Sequence, residues 1–142
     1  MSDIIAFAQQ HAWLVTGLLA TLIAVFIVEM YAQAIAPRRV TPQMAVDLIN
    51  NEKAVVIDLR QKAIFQAGHI VSAINLSKEE LTKDLSKLDR YKDRMILLVD
   101  QTGADAIQIS SKLGKGKQFA AIKILAGGMS AWNNAGFPTE KS

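Results

Sequence analysis

The chain of 142 residues is 51% hydrophobic and contains 16 basic residues, 13 acidic residues and no cysteine. The lack of cysteine excludes disulfides, thiolate metal sites and every cysteine nucleophile. All 16 basic residues but only 11 acidic ones lie at or after Arg38, so residues 38–142 carry a net charge of +5. No basic stretch is interleaved with aromatic residues, and the positive charge therefore does not indicate nucleic-acid binding.

The first element is a long apolar segment. Residues 4–28 contain His11 as their only ionisable side chain. A helix from Trp13 to Tyr31 would span roughly 27 Å, close to the hydrocarbon thickness of a bilayer, with an amphipathic aromatic residue at each interface. We therefore expect residues 12–31 to form a transmembrane helix in contact with membrane lipid.

Two other interpretations of this segment are weaker. A cleaved secretory signal would suit the small residues at 32–36, but the first eleven residues contain no Lys or Arg, and the apolar run is longer than in most signals. A buried core helix seldom has more than about 14 apolar residues. Arg38 and Arg39 follow the segment, and positive flanks mark the cytoplasmic side. We expect residues 1–37 to form the membrane helix and its link, and residues 38–142 to form one cytoplasmic domain.

The first half of that domain alternates between helix and strand signals. Thr41-Pro42 predicts a helix start that runs to about Asn50. Ser77, with Glu80 three positions later, predicts a capping box. The remaining predicted elements are a buried strand at 54–59, a helical turn at 62–66 that Gly68 ends, a short strand at 72–76 and a polar helix at 83–90.

The second half continues the alternation. A buried strand at 95–99 (MILLV) precedes a loop at 100–103 and a helix at about 104–113 that Gly114 ends. A further strand at 120–125, a tight turn at Gly127-Gly128 and a helix at 129–134 follow. This alternation predicts an α/β fold with a parallel sheet flanked by helices, preceded by one transmembrane helix.

An ordered set of short motifs resembles a rhodanese-like domain. The motifs are residues 55–60 (VVIDLR), 65–70 with Gly68-His69-Ile70, 73–76 (AINL), 125–132 with Gly127-Gly128 and Trp132, and Gly136-x-Pro138. They span about residues 38–138 in the usual order. With one membrane helix in front, the chain is similar to bacterial single-pass membrane-anchored rhodanese-like proteins, which implies an inner-membrane location.

The resemblance implies a sulfurtransferase scaffold, in which an active member carries cysteine directly after the strand MILLV. The backbone N–H groups of the following loop and the positive end of the next helix stabilise the anionic sulfur. This chain has Asp100 at that position. Asp105 stands where a basic residue is often found, and the two carboxylates should repel an anionic sulfur donor. The degenerate loop consists of Asp100, Gln101, Thr102, Gly103, Ala104 and Asp105. Sulfur transfer through cysteine is excluded, as are the related phosphatase and arsenate-reductase chemistries.

Three interpretations of Asp100 follow. Its carboxylate can occupy the vacant amide cradle and cap the next helix, which is the favoured interpretation because Asp is a preferred N-cap. The loop can also bind a protein, which is compatible with the cap. A nucleophilic aspartate is disfavoured, because Asp100-Gln101-Thr102 lacks the second acid that aspartyl-phosphate chemistry requires.

Other candidate residues favour structural roles. Asp58 and Arg60 follow a buried strand and are expected to fix neighbouring loops as an ion pair. His69 has no second ligand at metal spacing, and Trp132 is expected in the core. The sequence GKGK at 114–117 lacks the Ser or Thr of a phosphate loop and is interpreted as a helix end with a solvated basic turn.

These observations predict a catalytically inactive module that binds or regulates another membrane or membrane-associated protein, with no cofactor and no metal. Self-association through Gly17-x-x-x-Thr21 in the membrane helix is a further hypothesis. Two alternatives remain open. The same loop could bind a small anion or support chemistry that needs no cysteine, or the basic domain could organise anionic lipid.

Overall fold

The computed structural model describes residues 7, 10–35, 38–114, 119 and 121–142. The chain divides into two units, residues 1–36 and residues 37–142. The first unit contains helix α1, Ala12–Ile35. Its residues Ala12–Tyr31 are apolar enough to cross a membrane, although a signal sequence near an N-terminus meets the same criterion.

The two threonine hydroxyls of α1 are satisfied within the helix. The Thr16 hydroxyl donates to the Ala12 carbonyl at 3.0 Å, and the Thr21 hydroxyl donates to the Gly17 carbonyl at 2.8 Å. Internal pairing of this kind is what a hydrocarbon environment requires of a polar group. Side chains such as Trp13, Phe26 and Tyr31 are exposed.

The second unit is built on a five-stranded, entirely parallel sheet in the order β1-β6-β5-β2-β4. These strands are β1 Arg38–Val40, β2 Val55–Asp58, β4 Ile74–Asn75, β5 Met95–Val99 and β6 Ala121–Leu125. A separate antiparallel pair joins β3 His69–Ile70 to β7 Thr139–Glu140. The helices are α2 Pro42–Asn50, α3 Lys62–Ala67, α4 Lys78–Lys83, α5 Ala104–Gly114 and α6 Gly128–Asn134, with a 3-10 helix at Leu85–Tyr91.

The apolar run of β5 places this strand at the centre of the sheet, between β2 and β6. Because side chains alternate along a strand, Ile96 and Leu98 enter a core layer with Ile109 of α5, whereas Leu97 enters the opposite layer with Trp132 of α6. Both faces are covered, as is usual for a parallel sheet.

Most predicted elements are confirmed, including the parallel sheet flanked by helices. The Thr41 side chain accepts from the Met44 N–H and caps α2. Ser77 and Glu80 form the predicted capping box at the start of α4. The strand predicted at 120–125 is observed as Ala121–Leu125, and residue 120 lies outside the described residues, as do residues 115–117 of the predicted basic turn.

Two predicted boundaries are wrong. Ser72 has a φ of 65° and lies in a turn, so the strand predicted at 72–76 shortens to Ile74–Asn75. Asp84 is extended, and its carboxylate accepts from the Ser86 N–H, which interrupts the helix predicted at 83–90 and leaves a 3-10 helix at Leu85–Tyr91. The strands β1, β3 and β7 were not predicted, because two or three residues carry too little periodicity to identify a strand.

Candidate functional site

The degenerate loop lies at the carboxyl end of the central strand β5, where parallel α/β sheets commonly place their sites. Asp100 follows Val99 directly and is only 3% exposed. The loop then turns into α5, so that the first amides of the helix face the end of the strand.

The Asp100 carboxylate occupies this amide cradle. One oxygen accepts from the Gly103 N–H at 2.6 Å, and the other accepts from the Asp105 N–H at 2.8 Å. A carboxylate held by backbone N–H groups at a helix N-terminus is stabilised by charge-assisted hydrogen bonds and by the helix dipole. The structure therefore has the geometry of the capping interpretation, with a built-in anion where the resemblance implies a sulfur.

Glycines allow the loop to approach helix α6. Gly103 has a φ of 100° and Gly128 a φ of 57°. A Cβ atom on Gly128 would overlap the Asp100 carbonyl oxygen and the Gln101 backbone, so this contact requires glycine. Gly127, with a φ of 73°, supplies the left-handed residue before α6.

Helix α6 in turn anchors the loop, because its backbone N–H groups donate to the loop carbonyls. The Met129 N–H donates to the Asp100 carbonyl at 2.8 Å, and the Ser130 N–H donates to the Gln101 carbonyl at 3.2 Å. The Gln101 side-chain amide also donates to the Ser130 hydroxyl at 3.1 Å. The loop is thus fixed from both sides while Gln101, Thr102 and Ala104 stay exposed.

Asp105 has a partner that the sequence did not reveal. The Lys78 ammonium at the start of α4 lies 2.5 Å from an Asp105 carboxylate oxygen, and the two side chains are 33% and 45% exposed. Since both loop carboxylates are engaged, the negative potential over the loop is weaker than two free carboxylates would give. This partner could not be identified from spacing, because Lys78 and Asp105 lie 27 residues apart.

The Asp58–Arg60 pair forms a buried corner at the end of the neighbouring strand β2. The Arg60 guanidinium donates to the Asp58 carboxylate at 2.7 Å and to the Gly68 carbonyl at 2.8 Å. The Asn75 amide donates to the Asp58 carbonyl at 3.1 Å and the Arg60 carbonyl at 2.8 Å. The Arg60 guanidinium thus ties the end of β2 to the residue that follows α3, and the Asn75 amide ties it to β4.

His69 and Trp132 lie away from the loop. The His69 ring is 3% exposed, stacks on Phe65 with ring centroids 3.8 Å apart, and places Nδ1 2.8 Å from the Phe65 carbonyl oxygen. A carbonyl only accepts, so Nδ1 carries the proton. Trp132 is buried, and its indole N–H donates to the Pro138 carbonyl at 3.1 Å.

The described residues contain no cluster of three or more His, Asp or Glu side chains suited to a metal ion. A polar cavity of about 440 Å³ lies beside α3 and the start of α4. Its wall includes Asn75, Ser77 and Glu80. The Asn75 amide already donates to the Arg60 carbonyl, and Ser77 and Glu80 already form the capping box of α4.

Residues 41–135 match the family of the rhodanese-like domain. The chain belongs to this family, and it contains no cysteine. It is 32% identical over 139 residues to the protein YibN of Escherichia coli, covering 97% of this chain and 96% of YibN.

Two further comparisons agree with this assignment. The chain is 30% identical over 103 residues to the thiosulfate sulfurtransferase GlpE of Pseudomonas putida, covering 72% of this chain and 90% of GlpE. Its fold is similar to a rhodanese-like domain from Anabaena sp., with a TM-score of 0.61, 21% identity, and coverage of 73% of this chain and 79% of that one.

Proposed function

We propose that this protein is a catalytically inactive rhodanese-like domain that binds or regulates another protein at the cytoplasmic face of a membrane. One observation carries the proposal: both Asp100 carboxylate oxygens accept hydrogen bonds from the loop amides that would otherwise stabilise an anionic sulfur.

The loss of sulfur chemistry follows from the side chain. Sulfur transfer of the kind named for GlpE requires a group that can hold a transferable sulfur. A carboxylate cannot form a persulfide, and the sequence supplies no thiol elsewhere. The family scaffold is nevertheless complete, which supports a role that depends on a folded surface rather than on a reacting atom.

The loop has the properties of a preorganised contact surface. Its backbone is held by Met129 and Ser130, so Gln101 and Thr102 are presented without further ordering of the loop. A surface that is already ordered loses less conformational entropy when a partner binds.

A membrane location for this surface is part of the proposal. Helix α1 would contact lipid through residues 12–31, and Arg38-Arg39 would keep the domain on the cytoplasmic side. The partner is then a membrane or membrane-associated protein. A second copy could associate through Gly17 and Thr21 of the same helix.

The test is site-specific photo-crosslinking in the native membrane. A photo-reactive amino acid at Gln101 should capture a small, reproducible set of proteins. The same photo-reactive amino acid in place of Glu52, which is exposed near the amino ends of the strands, should not capture these proteins.

Two matched variants test whether the captured proteins contact the loop itself or the neighbouring surface of α5. Ala104→Arg places a large side chain on the exposed loop and should abolish the Gln101 adducts, whereas Gln108→Arg, one turn further along α5, should retain them. Lipid adducts alone at Gln101, or the same protein adducts from Glu52, would refute the loop as an interface.

A further inference from the structure

A cavity of about 260 Å³ lies where β1 and β6 end beside the first turn of α5. Its volume is just below the range of roughly 300–1,000 Å³ that is usual for drug-sized ligands, so it suits a smaller molecule. The lining residues are Arg39, Thr102, Gly103, Ala104, Ile107, Ile124, Leu125, Ala126 and Gly127.

Arg39 gives this cavity its charge. It is the one ionisable residue among those that line the cavity. In the described part of the chain no carboxylate lies within 4.0 Å of its guanidinium, unlike Arg60 and Lys78, which both have acidic partners. Arg39 is exposed at the cavity, and a guanidinium without an acidic partner favours an anionic ligand.

The rest of the wall limits the kind of anion. Ile107 of α5 and Ile124 of β6 supply an apolar surface, and Thr102 supplies a hydroxyl group. A single guanidinium balances one negative charge and matches the fork of a carboxylate. We propose that the Arg39 cavity binds a small organic monocarboxylate, with its carboxylate on Arg39 and its short apolar body against Ile107 and Ile124.

The cavity shares Thr102, Gly103 and Ala104 with the degenerate loop, but its ligand would lie outside the Asp100 cradle, and the proposal does not require that the loop binds a protein. The two carboxylate oxygens of Asp100 already accept from loop amides, so the cradle offers no vacancy for a second anion. Arg39 lies instead in the edge strand β1, in register with Ile124.

The experiment titrates the full-length protein in lipid nanodiscs with butanoate and, separately, with the neutral isostere butanamide at equal ionic strength. Isoleucine methyl NMR signals report the result, because Ile107 and Ile124 line the cavity while Ile64 lies exposed on α3. Butanoate should shift Ile107 and Ile124 but not Ile64, and butanamide should bind at least about tenfold more weakly, since it lacks the charge-assisted hydrogen bond.

Two variants assign the effect to one side chain. Arg39→Gln should weaken butanoate binding at least about tenfold, whereas Lys112→Gln, which removes the same charge from an exposed site on α5, should not. The proposal is overturned if butanoate leaves Ile107 and Ile124 unshifted, if butanamide binds equally well, or if both variants behave alike. Should Arg39→Gln fail to fold, the comparison of acid and amide on the natural protein decides the question.

Discussion

Two buried aspartates end neighbouring strands of the sheet, and the protein neutralises them in different ways. Asp58, at the end of β2, is fully buried and lies against the Arg60 guanidinium. Asp100, at the end of β5, is 3% exposed and lies against the Gly103 and Asp105 amides. One carboxylate has a formal counter-charge, and the other has only backbone dipoles.

This difference distinguishes a structural ion pair, which we call the frame, from the Asp100 loop, which we call the site. A buried ion pair requires both partners, because either one alone is an uncompensated charge in a dry environment. Backbone amides remain in place whichever group they bind, and they can donate hydrogen bonds to any anion of suitable size. The Asp58 corner therefore fixes the fold, whereas the Asp100 loop is an anion cradle that this sequence occupies from within.

The largest expected effect is at the Asp58 corner. Arg60→Leu leaves the Asp58 carboxylate buried without a counter-charge and should lower the free energy of unfolding by about 3–5 kcal/mol. Urea unfolding followed by circular dichroism measures the change. Arg90→Leu, at an exposed arginine of the 3-10 helix, is the control and should cost little.

A double variant sharpens this expectation. Asp58→Ala combined with Arg60→Leu removes both charges and should recover a substantial part of the stability that Arg60→Leu loses. Equal losses in the single and double variants would mean that the packing of Arg60, rather than the uncompensated carboxylate, explains the effect.

The Asp100 loop should respond less strongly. Asp100→Ala removes the cap from α5 and exposes two amides to solvent, which should cost about 1–2 kcal/mol. Asp100→Asn keeps one acceptor oxygen and should lie between the natural protein and Asp100→Ala in the same unfolding measurement. A loss as large as that of Arg60→Leu would contradict the distinction between frame and site.

A smaller effect is expected from the ion pair above the loop. Lys78 and Asp105 are partly exposed, so Lys78→Met should cost less than about 1 kcal/mol. The difference should shrink further at high salt, because exposed charges are screened. An unfolding free energy that is insensitive to salt but strongly reduced by Lys78→Met would show that the pair is more buried than its exposure indicates.

The smallest effect concerns an exposed carboxylate. The Ser77 backbone N–H, and secondarily the Lys87 side chain, lower the pKa of Glu80 below its ordinary value near 4.5. A depressed pKa in the folded state gives stability that is present above pH 4.5 and is lost as the pH falls through the folded pKa. Glu80→Gln should remove this part of the acid sensitivity of the urea midpoint, whereas Glu79→Gln should keep it. Identical pH profiles for the two variants would contradict the assignment to Glu80.

The sequence predicts the fold well where the local signals are strong. The cap residues Thr41 and Ser77 and the apolar strand at 95–99 each mark an element that the structure contains. The position of Asp100 in the amide cradle also follows from local chemistry, because aspartate is a good cap and the cradle amides belong to the next few residues.

Partners distant in sequence could not be predicted. Lys78 meets Asp105 only because α4 and α5 start at the same end of the sheet. The sequence identifies Arg39 only as a flank of the membrane segment, whereas its place in β1 beside Ile124 depends on the register between the edge strand β1 and its neighbour β6. Neither contact leaves a periodic signal in the chain.

Sulfate titration of the natural protein and of Asp100→Ala tests the central claim most directly. The proton and nitrogen signals of the Asp105 amide in ¹⁵N NMR report on the cradle itself, because Asp105 donates to the Asp100 carboxylate and, unlike Gly103, does not line the Arg39 cavity. If Asp100 is the built-in anion, sulfate should shift these signals in Asp100→Ala and leave them unchanged in the natural protein. Shifts in the natural protein, or in neither protein, would contradict the claim that Asp100 occupies a functional anion cradle.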